Sequence, residues 1–400
     1  MFSEKKILIG IAGGIAAYKA AELVRQFKKN SAKVRVMMTQ AALNFITPLT
    51  LGTLSENPVL LDLFSQEENQ STVHIDWARW PDVIILCPAT LNVVGKIASG
   101  IADDAVTTTI LASTAPVIFC PAMNKEMYAN KIYQANQEKL ISNGYHFVAP
   151  GKGELACGEE GWGRLAELED ILSEAKRVLF GDQALKGKKV LITAGPTREP
   201  IDPVRFISNR SSGKMGFALA EAAVMRGADV TLVSGPGCLK PFPGIRFISV
   251  QTAREMANQV AECLPESDVL VMAAAVSDYR PKVSSARKIK KDDVGFAIEI
   301  ERNDDILLKA SENKGSRIHV GFSVETENEI ENSLCKLRKK DLDLIVVNNP
   351  LEDGSGFEWD TNKVCLIDKA ERVERYPLLS KSELADRILD KMIGLLKTEQ

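Results

Sequence analysis

The sequence lacks the features that mark secreted, membrane-spanning and nucleic-acid-binding proteins. Its seven cysteines are scattered, odd in number and never spaced as Cys-x-x-Cys, which indicates a reducing compartment and mostly inert thiols. No apolar run approaches the roughly 18 residues of a membrane span. The net charge of -3 favours neither nucleic acid nor an acidic membrane surface as a partner. These absences predict a cytoplasmic protein without nucleic-acid or membrane partners.

The composition is that of a globular protein with more than one domain. The chain has 400 residues, of which 45% are hydrophobic and 26% are charged. Two segments open alike, because "KKILIGIAGG" (5–14) and "KKVLITAGPT" (188–197) are short apolar runs that end in glycine. A helical pattern and a second apolar run follow each of them, as in a parallel α/β sheet.

The fold class we predict is therefore α/β, with two doubly wound, mainly parallel-sheet domains. A flavodoxin-like domain would occupy residues 1–180 and a Rossmann-like domain residues 188–400, joined by a polar linker at 181–187. Ligands of such sheets bind beyond the carboxyl ends of the strands, which selects the loops that follow the apolar runs.

No standard nucleotide motif lies in these loops. Neither opening carries Gly-x-Gly-x-x-Gly. The stretch "ISNRSSGKMG" (207–216) contains the Gly-Lys pair of a phosphate-binding loop, but Ser208 replaces its first glycine and Met215 its Mg-binding hydroxyl. The residues alone leave open whether this stretch binds phosphate or only starts a helix.

Five motifs occur in order in the first half of the chain. They are "AGGIAAYK" (12–19), "HIDWARWPD" (74–82), "CPATLN" (87–92), "PAMNKEMY" (121–128) and "GELACGEEGWGR" (153–164). The set resembles the flavin-containing cysteine decarboxylase family over residues 4–180. The resemblance implies FMN bound between the subunits of a trimer.

The resemblance also implies roles for individual residues. His74 would be the base for oxidation of the substrate, Asn124 would hold its carboxylate, and Cys157 would be the acid that returns a proton to the product. Flavin is needed because oxidation of the thiol-bearing carbon creates a C=S group that accepts the electrons of the departing carboxylate. The FMN contacts carried over are Gly13, Gly14, Ile15, Thr39, Pro88, Ala89 and Thr90.

A second set of motifs follows in the other half. After "ITAGPTREPIDPVRFISNRSSGKMG" (192–216) come "AAAVSDYRP" (273–281), "RKIKK" (287–291), "RNDDIL" (302–307), "GFSVET" (321–326) and "KLRKKDLDLIVVN" (336–348). This set resembles the phosphopantothenate–cysteine ligase family over residues 187–395. The resemblance implies an amide bond made through an acyl-cytidylate, with CTP and Mg2+.

The ligase resemblance assigns three catalytic residues and a nucleotide site, without metal ligands. Lys288 would contact phosphate, and Arg205 and Asn209 would act on the acyl intermediate. The CTP contacts carried over are Ala274, Asp278, Lys288, Asn303, Asp304, Asp305, Ile306, Phe322, Lys336 and Lys340. Dimers of this half and trimers of the other would combine into a homo-oligomer as large as a dodecamer.

Together the two halves predict a bifunctional enzyme of coenzyme A synthesis. It would join 4'-phosphopantothenate to cysteine, then decarboxylate the product to 4'-phosphopantetheine and CO2. One alternative is a peptidyl-cysteine decarboxylase or flavin prenyltransferase fused to an NAD-linked domain, and Cys157 and Asn209 argue against it. The other is a non-catalytic regulatory relative, which the presence of His74, Asn124 and Cys157 disfavours.

Overall fold

A computed structural model of the protein describes residues 2–63, 73–154, 158, 160–290, 297–352, 354, 356 and 359–398. The chain divides into two units, Met1–Gly181 and Asp182–Gln400. Within the described ranges, no helix is long and apolar enough to cross a membrane.

The first unit is built on a parallel sheet whose central strands are buried on both faces. Its strands are β1 (Lys6–Ile11), β2 (Lys33–Met38), β3 (Val59–Leu60), β4 (Val83–Ala89), β5 (Val117–Pro121) and β6 (His146–Phe147), followed by the antiparallel hairpin β7 (Gly151–Glu154) and β8 (Glu160–Arg164). The sheet order is β3-β2-β1-β4-β5-β6. The core order β2-β1-β4-β5-β6 is flavodoxin-like, and the two-residue strand β3 extends it at one edge.

Helices cover both faces of this sheet. They are α1 (Lys19–Lys29), α2 (Pro48–Ser55), α3 (Val73–Arg79), α4 (Leu91–Ala98), α5 (Ala105–Ala112), α6 (Lys125–Ala129), α7 (Lys131–Ser142) and α8 (Leu168–Phe180), with short 3-10 helices at Ile15–Tyr18 and Gln40–Asn44. One hydrophobic core includes residues of α1, α2 and α8, and the opposite core includes residues of α3, α4, α5 and α7. The doubly wound arrangement predicted for this half is confirmed.

The second unit contains a larger sheet of eight strands. All its strands in chain order are β9 (Lys189–Ala194), β10 (Arg198–Pro200), β11 (Phe206–Ser208), β12 (Asp229–Ser234), β13 (Arg246–Ser249), β14 (Val269–Met272), β15 (Tyr279–Pro281), β16 (Ile300–Arg302), β17 (Ile318–Val324), β18 (Leu344–Asn348), β19 (Thr361–Asn362), β20 (Val364–Asp368), β21 (Val373–Arg375) and β22 (Leu379–Ser380). The main order is β13-β12-β9-β14-β17-β18-β20-β21. The first six strands are parallel in the Rossmann order, and β20 and β21 add an antiparallel edge.

Helices also pack on both faces of the second sheet. They are α9 (Lys214–Met225), α10 (Ala253–Cys263), α11 (Ile306–Ser311), α12 (Glu329–Lys339) and α13 (Lys381–Thr398), with a 3-10 helix at Leu264–Glu266. Residues of α9 and α13 share one core, and residues of α10, α11 and α12 share the other. Leu185, which lies in the stretch that the sequence suggests as a linker, is fully buried in the first of these cores.

Candidate active sites

The first unit has a cavity of about 510 Å³ where β1, β2 and β4 end. Its lining combines three of the predicted FMN residues with others from α4, α5 and the "PAMN" motif. The lining residues are Gly13, Thr39, Gln40, Ala41, Thr90, Leu91, Asn92, Val93, Lys96, Asp103, Asp104, Ala122, Met123 and Met127. The position agrees with the rule that ligands bind at the carboxyl ends of parallel strands.

Gly13 brings two loops of this cavity into close contact. A Cβ on Gly13 would lie 2.5 Å from the Cβ of Ala41 and 2.6 Å from its carbonyl carbon, distances that carbon atoms do not adopt. At Gly14 a Cβ would meet only Thr90 Cγ2, at 3.4 Å. The turn after β1 therefore requires glycine at position 13 but not at position 14.

Thr39 supplies a buried hydroxyl to the same cavity. Its side chain lies at the end of β2 and is 6% exposed. Within the described part of the chain, Thr39 Oγ1 has no hydrogen-bond partner. Because a buried hydroxyl without a partner is unfavourable, this atom suits a polar group of a ligand bound in the cavity. A bound FMN fits both the cavity and this hydroxyl.

The other predicted FMN residues flank the lining. Pro88 and Ala89 end β4, and the amide of Ala12 donates to the Pro88 carbonyl at 3.3 Å, which holds the ends of β1 and β4 together. Ile15 is 61% exposed at the start of a 3-10 helix.

Asn124 lies directly after the lining residue Met123. Its Oδ1 accepts a hydrogen bond from the Glu126 amide at 2.8 Å and caps α6. This bond caps the first turn of α6 and leaves Nδ2 as the donor end of the side-chain amide. The arrangement suits an amide that donates to a substrate carboxylate.

The hairpin β7–β8 is attached beside Asn124. The Met123 amide donates to the Gly163 carbonyl at 3.0 Å, and a Cβ on Gly163, whose φ is +133°, would lie 2.2 Å from the Met123 carbonyl oxygen. Cys157 falls between these two strands in sequence and lies outside the described residues. His74 is half-buried near the start of α3. Neither His74 nor Asn124 is among the described residues that line the cavity.

The cavity wall also contains a charged cluster that the sequence did not predict. Lys96 Nζ lies 2.8 Å from Asp103 Oδ1 and 3.8 Å from Asp104 Oδ2. The hydrogen bond with Asp103 raises the pKa of Lys96 against the opposing effect of burial. Asp104 also caps α5 through Thr107, so the polar residues of "DDAVTTT" form a helix start. The two adjacent aspartates are visible in the sequence as a possible charged site, but their pairing with Lys96 depends on the fold.

The second unit has a cavity of about 520 Å³ at the carboxyl ends of its parallel strands. Most of the predicted CTP residues, and Asn209, line it. The lining consists of residues 209–216, 272–278 and 303–307 with Phe322, Val324, Lys336, Lys340, Asn348, Gly356, Asn362 and Lys381. Segments that are distant in sequence but predicted to act together are therefore adjacent in the fold.

Asn209 joins two loops of this cavity. Its Nδ2 donates to the carbonyl oxygens of Ala275 at 3.2 Å and Val276 at 3.1 Å, in the loop that follows β14. Asn303 Nδ2 donates to the Ser277 carbonyl at 2.9 Å from the other side. Ser277 Oγ is buried without a hydrogen-bond partner within the described residues, which again indicates a polar ligand.

The two predicted lysines are paired with carboxylates. Lys336 Nζ donates to Ser323 Oγ at 3.0 Å and to Glu325 Oε1 at 2.5 Å. Burial opposes ionisation of Glu325, but the hydrogen bond from Lys336 lowers its pKa overall. Lys340, one residue beyond α12, donates to Asp305 Oδ1 at 3.0 Å. The predicted pair thus lines the cavity, with Glu325 and the lining residue Asp305 as its carboxylate partners.

Arg205 and Lys288 belong to a neighbouring cluster. Arg205 Nη2 donates to Asp202 Oδ2 at 2.6 Å and to the Ile289 carbonyl at 2.8 Å, next to Lys288. Burial opposes ionisation of Asp202, but hydrogen bonds from Arg205 and three backbone amides lower its pKa. Lys288 is exposed, and neither it nor Arg205 is among the described residues that line the cavity.

Several residues of this lining carry no signal in the sequence. Lys381, Asn348 and Asn362 line the cavity, and so does Lys214, whose role the sequence left open. Gly213 directly precedes α9, which begins at Lys214, so the Gly-Lys pair of "ISNRSSGKMG" is a helix start. The Ser380–Glu383 pair of α13 forms the reciprocal bonds of a capping box, a helix-start signal that says nothing about a cavity.

Comparison with known proteins covers both units. Residues 1–180 match the family model "Flavoprotein", and residues 185–395 match "DNA/pantothenate metabolism flavoprotein C-terminal domain". The chain is similar to "Coenzyme A biosynthesis bifunctional protein CoaBC" of Bacillus subtilis, at 44% identity over 99% of this chain and 98% of the relative. The protein of that name from Vibrio cholerae is 44% identical over 96% of this chain and 97% of its own. A "Cysteine/Cysteine sulfinic acid decarboxylase" from an unknown prokaryotic organism is 43% identical over 88% of this chain and 99% of its own.

Proposed function

The chain belongs to the family of coenzyme A biosynthesis bifunctional proteins, and from this we propose that its second unit joins 4'-phosphopantothenate to cysteine with CTP, and its first unit decarboxylates the product with FMN. The chain is an enzyme with a ligase half and a decarboxylase half. The observation that carries the proposal is that each unit has its own cavity of about 510 or 520 Å³ at the carboxyl ends of its sheet, lined by residues of the matching motifs.

In the first unit we assign FMN binding to Gly13, Thr39 and Thr90, with Gly14, Ile15, Pro88 and Ala89 beside them. Bound flavin supplies a reversible acceptor of the hydride that leaves the cysteine carbon. Asn124 Nδ2 would hold the substrate carboxylate, which orients the bond that releases CO2. The His74 imidazole would accept the proton lost in the oxidation. Cys157 would supply a proton to the product.

In the second unit the reaction is amide formation in two steps. A phosphopantothenate carboxylate oxygen attacks the α-phosphorus of CTP, the bond to the β-phosphate breaks, and pyrophosphate leaves with the electron pair. The cysteine amine then attacks the carbonyl carbon of the acyl-cytidylate, loses a proton and displaces CMP. Positive charge around the phosphates stabilises both leaving groups.

Most of the residues that we assign in this unit line the cavity. Asn209 lies where the loops after β9 and β14 meet, and we assign it with Arg205 to the acyl intermediate. Phe322, Lys336 and Lys340 would contact the nucleotide from the wall formed by β17 and α12, and Ser277 Oγ supplies a donor. Lys288 would contact phosphate from the neighbouring cluster. The remaining assigned CTP contacts are Ala274, Asp278, Asn303, Asp304, Asp305 and Ile306.

We propose that Mg2+ enters with CTP. Among the described residues, no group of three His, Cys, Asp or Glu side chains is arranged to hold a metal ion. Mg2+ is commonly held by substrate phosphates and only one or two carboxylates. The cytoplasmic location, the trimeric and dimeric halves, and their dodecamer stay predictions.

Two variants separate the two activities. Lys288→Gln should abolish CTP-dependent ligation and leave the decarboxylation of supplied 4'-phosphopantothenoylcysteine intact. His74→Asn should do the reverse and accumulate the ligated intermediate. Retained ligation in the first variant, or retained CO2 release in the second, would contradict the assigned role. Free cysteine should be included as a substrate, because one similar protein is named as a decarboxylase of it.

A further inference from the structure

The nucleotide cavity of the second unit contains a second pair of lysines that the predicted CTP contacts do not include. Lys214 is the first residue of α9 and Lys381 is the first residue of α13. These two helices pack together on one face of the sheet, and both lysines line the cavity. The predicted pair, Lys336 and Lys340, comes from α12 and the residue after it, on the opposite face. Cations therefore approach the cavity from both faces of the sheet.

Lys381 is buried although it carries an ammonium group. Lys381 is 6% exposed, and its Nζ donates to the carbonyl oxygens of Gly356 at 3.1 Å and Trp359 at 2.6 Å. Burial lowers the pKa of Lys381 to about 8, the charge of Lys214 lowers it as well, and Asp360 acts in the opposite direction. A buried ammonium group is favourable only beside negative charge, so this wall of the cavity favours an anion.

The exposed carboxylate of Asp360 provides part of this negative charge. Asp360 Oδ1 lies 2.6 Å from Lys214 Nζ, and the Asp360 side chain is 87% exposed. The hydrogen bond from Lys214 lowers the pKa of Asp360. Because exposed ion pairs contribute little to stability, a polyphosphate can replace this contact at little cost.

The proximity of Lys214 to Asn209 in the sequence indicates which part of a nucleotide belongs here. Lys214 lies five residues after Asn209, and both residues line the cavity. The proposed function places Asn209 at the reacting carbonyl group and therefore beside the α-phosphate. The β- and γ-phosphates are attached to the α-phosphorus on the side opposite the attacking carboxylate. They therefore need cations near Asn209 other than the lysines assigned to the nucleoside.

We propose that Lys214 and Lys381 bind the β- and γ-phosphates of CTP and stabilise pyrophosphate as it leaves. The inference rests on the proposed ligase function. As the bond between the α-phosphorus and the bridging oxygen breaks, its electron pair stays on pyrophosphate, and the two ammonium groups offset the added negative charge. No redox partner or further reactant is involved.

The test is steady-state ligation by the full-length protein, with CTP and phosphopantothenate varied separately. Lys214→Met and Lys381→Met should each raise the KM for CTP about tenfold or more, since each removes a charged hydrogen bond to phosphate. The KM for phosphopantothenate should change less than about twofold, because its own phosphate binds elsewhere in this scheme. Lys189→Met is the matched control, because Lys189 pairs with Glu266 at 3.3 Å at the amino end of β9.

A second readout separates contact with phosphate from a structural role of Lys381. Binding of a polyanion should raise its pKa, so at pH 8 the wild type should take up protons when it binds CTP. Calorimetry in two buffers of different ionisation enthalpy measures this uptake. Lys381→Arg should bind CTP without it, because a guanidinium group does not titrate at this pH.

The outcomes distinguish this inference from the proposed function. If the wild type consumes no CTP, the ligase proposal fails. If the wild type ligates but Lys214→Met keeps its KM for CTP, or the KM for phosphopantothenate rises instead, the inference is wrong. If Lys381→Met does not fold, as its melting would reveal, Lys214→Met and the proton uptake of Lys381→Arg decide. Uptake in Lys381→Arg equal to that of the wild type would also overturn the inference.

Discussion

Replacement of Gly13 by alanine tests the description of the flavin cavity most sharply. The added Cβ would lie 2.5 Å from Ala41 Cβ, 2.6 Å from its carbonyl carbon and 2.8 Å from its carbonyl oxygen. Carbon atoms in contact are about 3.5–4.0 Å apart, so the backbone at Ala41 must move by roughly 1 Å. Forcing a group into a packed site costs about 1–3 kcal/mol. Because both loops line the cavity, we expect FMN binding to weaken roughly 5- to 150-fold.

Gly14→Ala is the matched control one residue away. Its Cβ would meet only Thr90 Cγ2, at 3.4 Å, and the φ of Gly14 is -162°, which any residue adopts. Both variants should be titrated with FMN after the flavin has been removed, and binding followed by flavin fluorescence. We expect Gly14→Ala to bind within about twofold of the wild type. Wild-type affinity in Gly13→Ala, with an unchanged melting temperature, would refute the close contact between the loops.

Two stability predictions concern the second unit. His319 is fully buried, and burial together with the charge of Lys314 lowers its pKa to about 4, whereas an unfolded histidine titrates near 6.5. The neutral imidazole is therefore fully compatible with the fold above about pH 6.5, and stability is lost as the pH falls toward 4. Between pH 7 and pH 5 the free energy of unfolding of the wild type should fall by about 2 kcal/mol, and that of His319→Leu should not show this loss. Urea unfolding at the two pH values measures both. Leu185→Ala should cost about 2–5 kcal/mol in the same assay, because Leu185 is fully buried, and a cost below about 0.5 kcal/mol would contradict its place in this core.

The fold class could be predicted because local patterns and overall architecture agree. The apolar runs that open the two halves became β1 and β9, and each is followed by a glycine turn. The helix α1 comes next in the first half, whereas the hairpin β10–β11 precedes the helix α9 in the second. The antiparallel edge formed by β20 and β21 was not predicted. A short apolar run has the same sequence pattern in a parallel and in an antiparallel strand. The direction of β20 follows only from its antiparallel pairing with β18 in the folded sheet.

Much of the nucleotide cavity could also be anticipated, because parallel strands end at one edge of a sheet. That rule, applied to the motifs, places Asn209, Asp278 and Phe322 in one cavity, as observed. Lys381 could not be found in this way. It lies in the "SKSE" start of the last helix and reaches the cavity only because α13 packs against α9, which is a tertiary property.

The most direct test of the central claim is the ratio of products made by the purified protein. The protein would be given 4'-phosphopantothenate, cysteine and CTP with Mg2+, and pyrophosphate, CO2 and 4'-phosphopantetheine would be quantified. We expect pyrophosphate and CO2 in equal amounts at completion, both dependent on all three substrates, and 4'-phosphopantetheine in the same quantity. CO2 released from cysteine without CTP, or pyrophosphate formed without CO2, would contradict the claim that this chain carries out both steps.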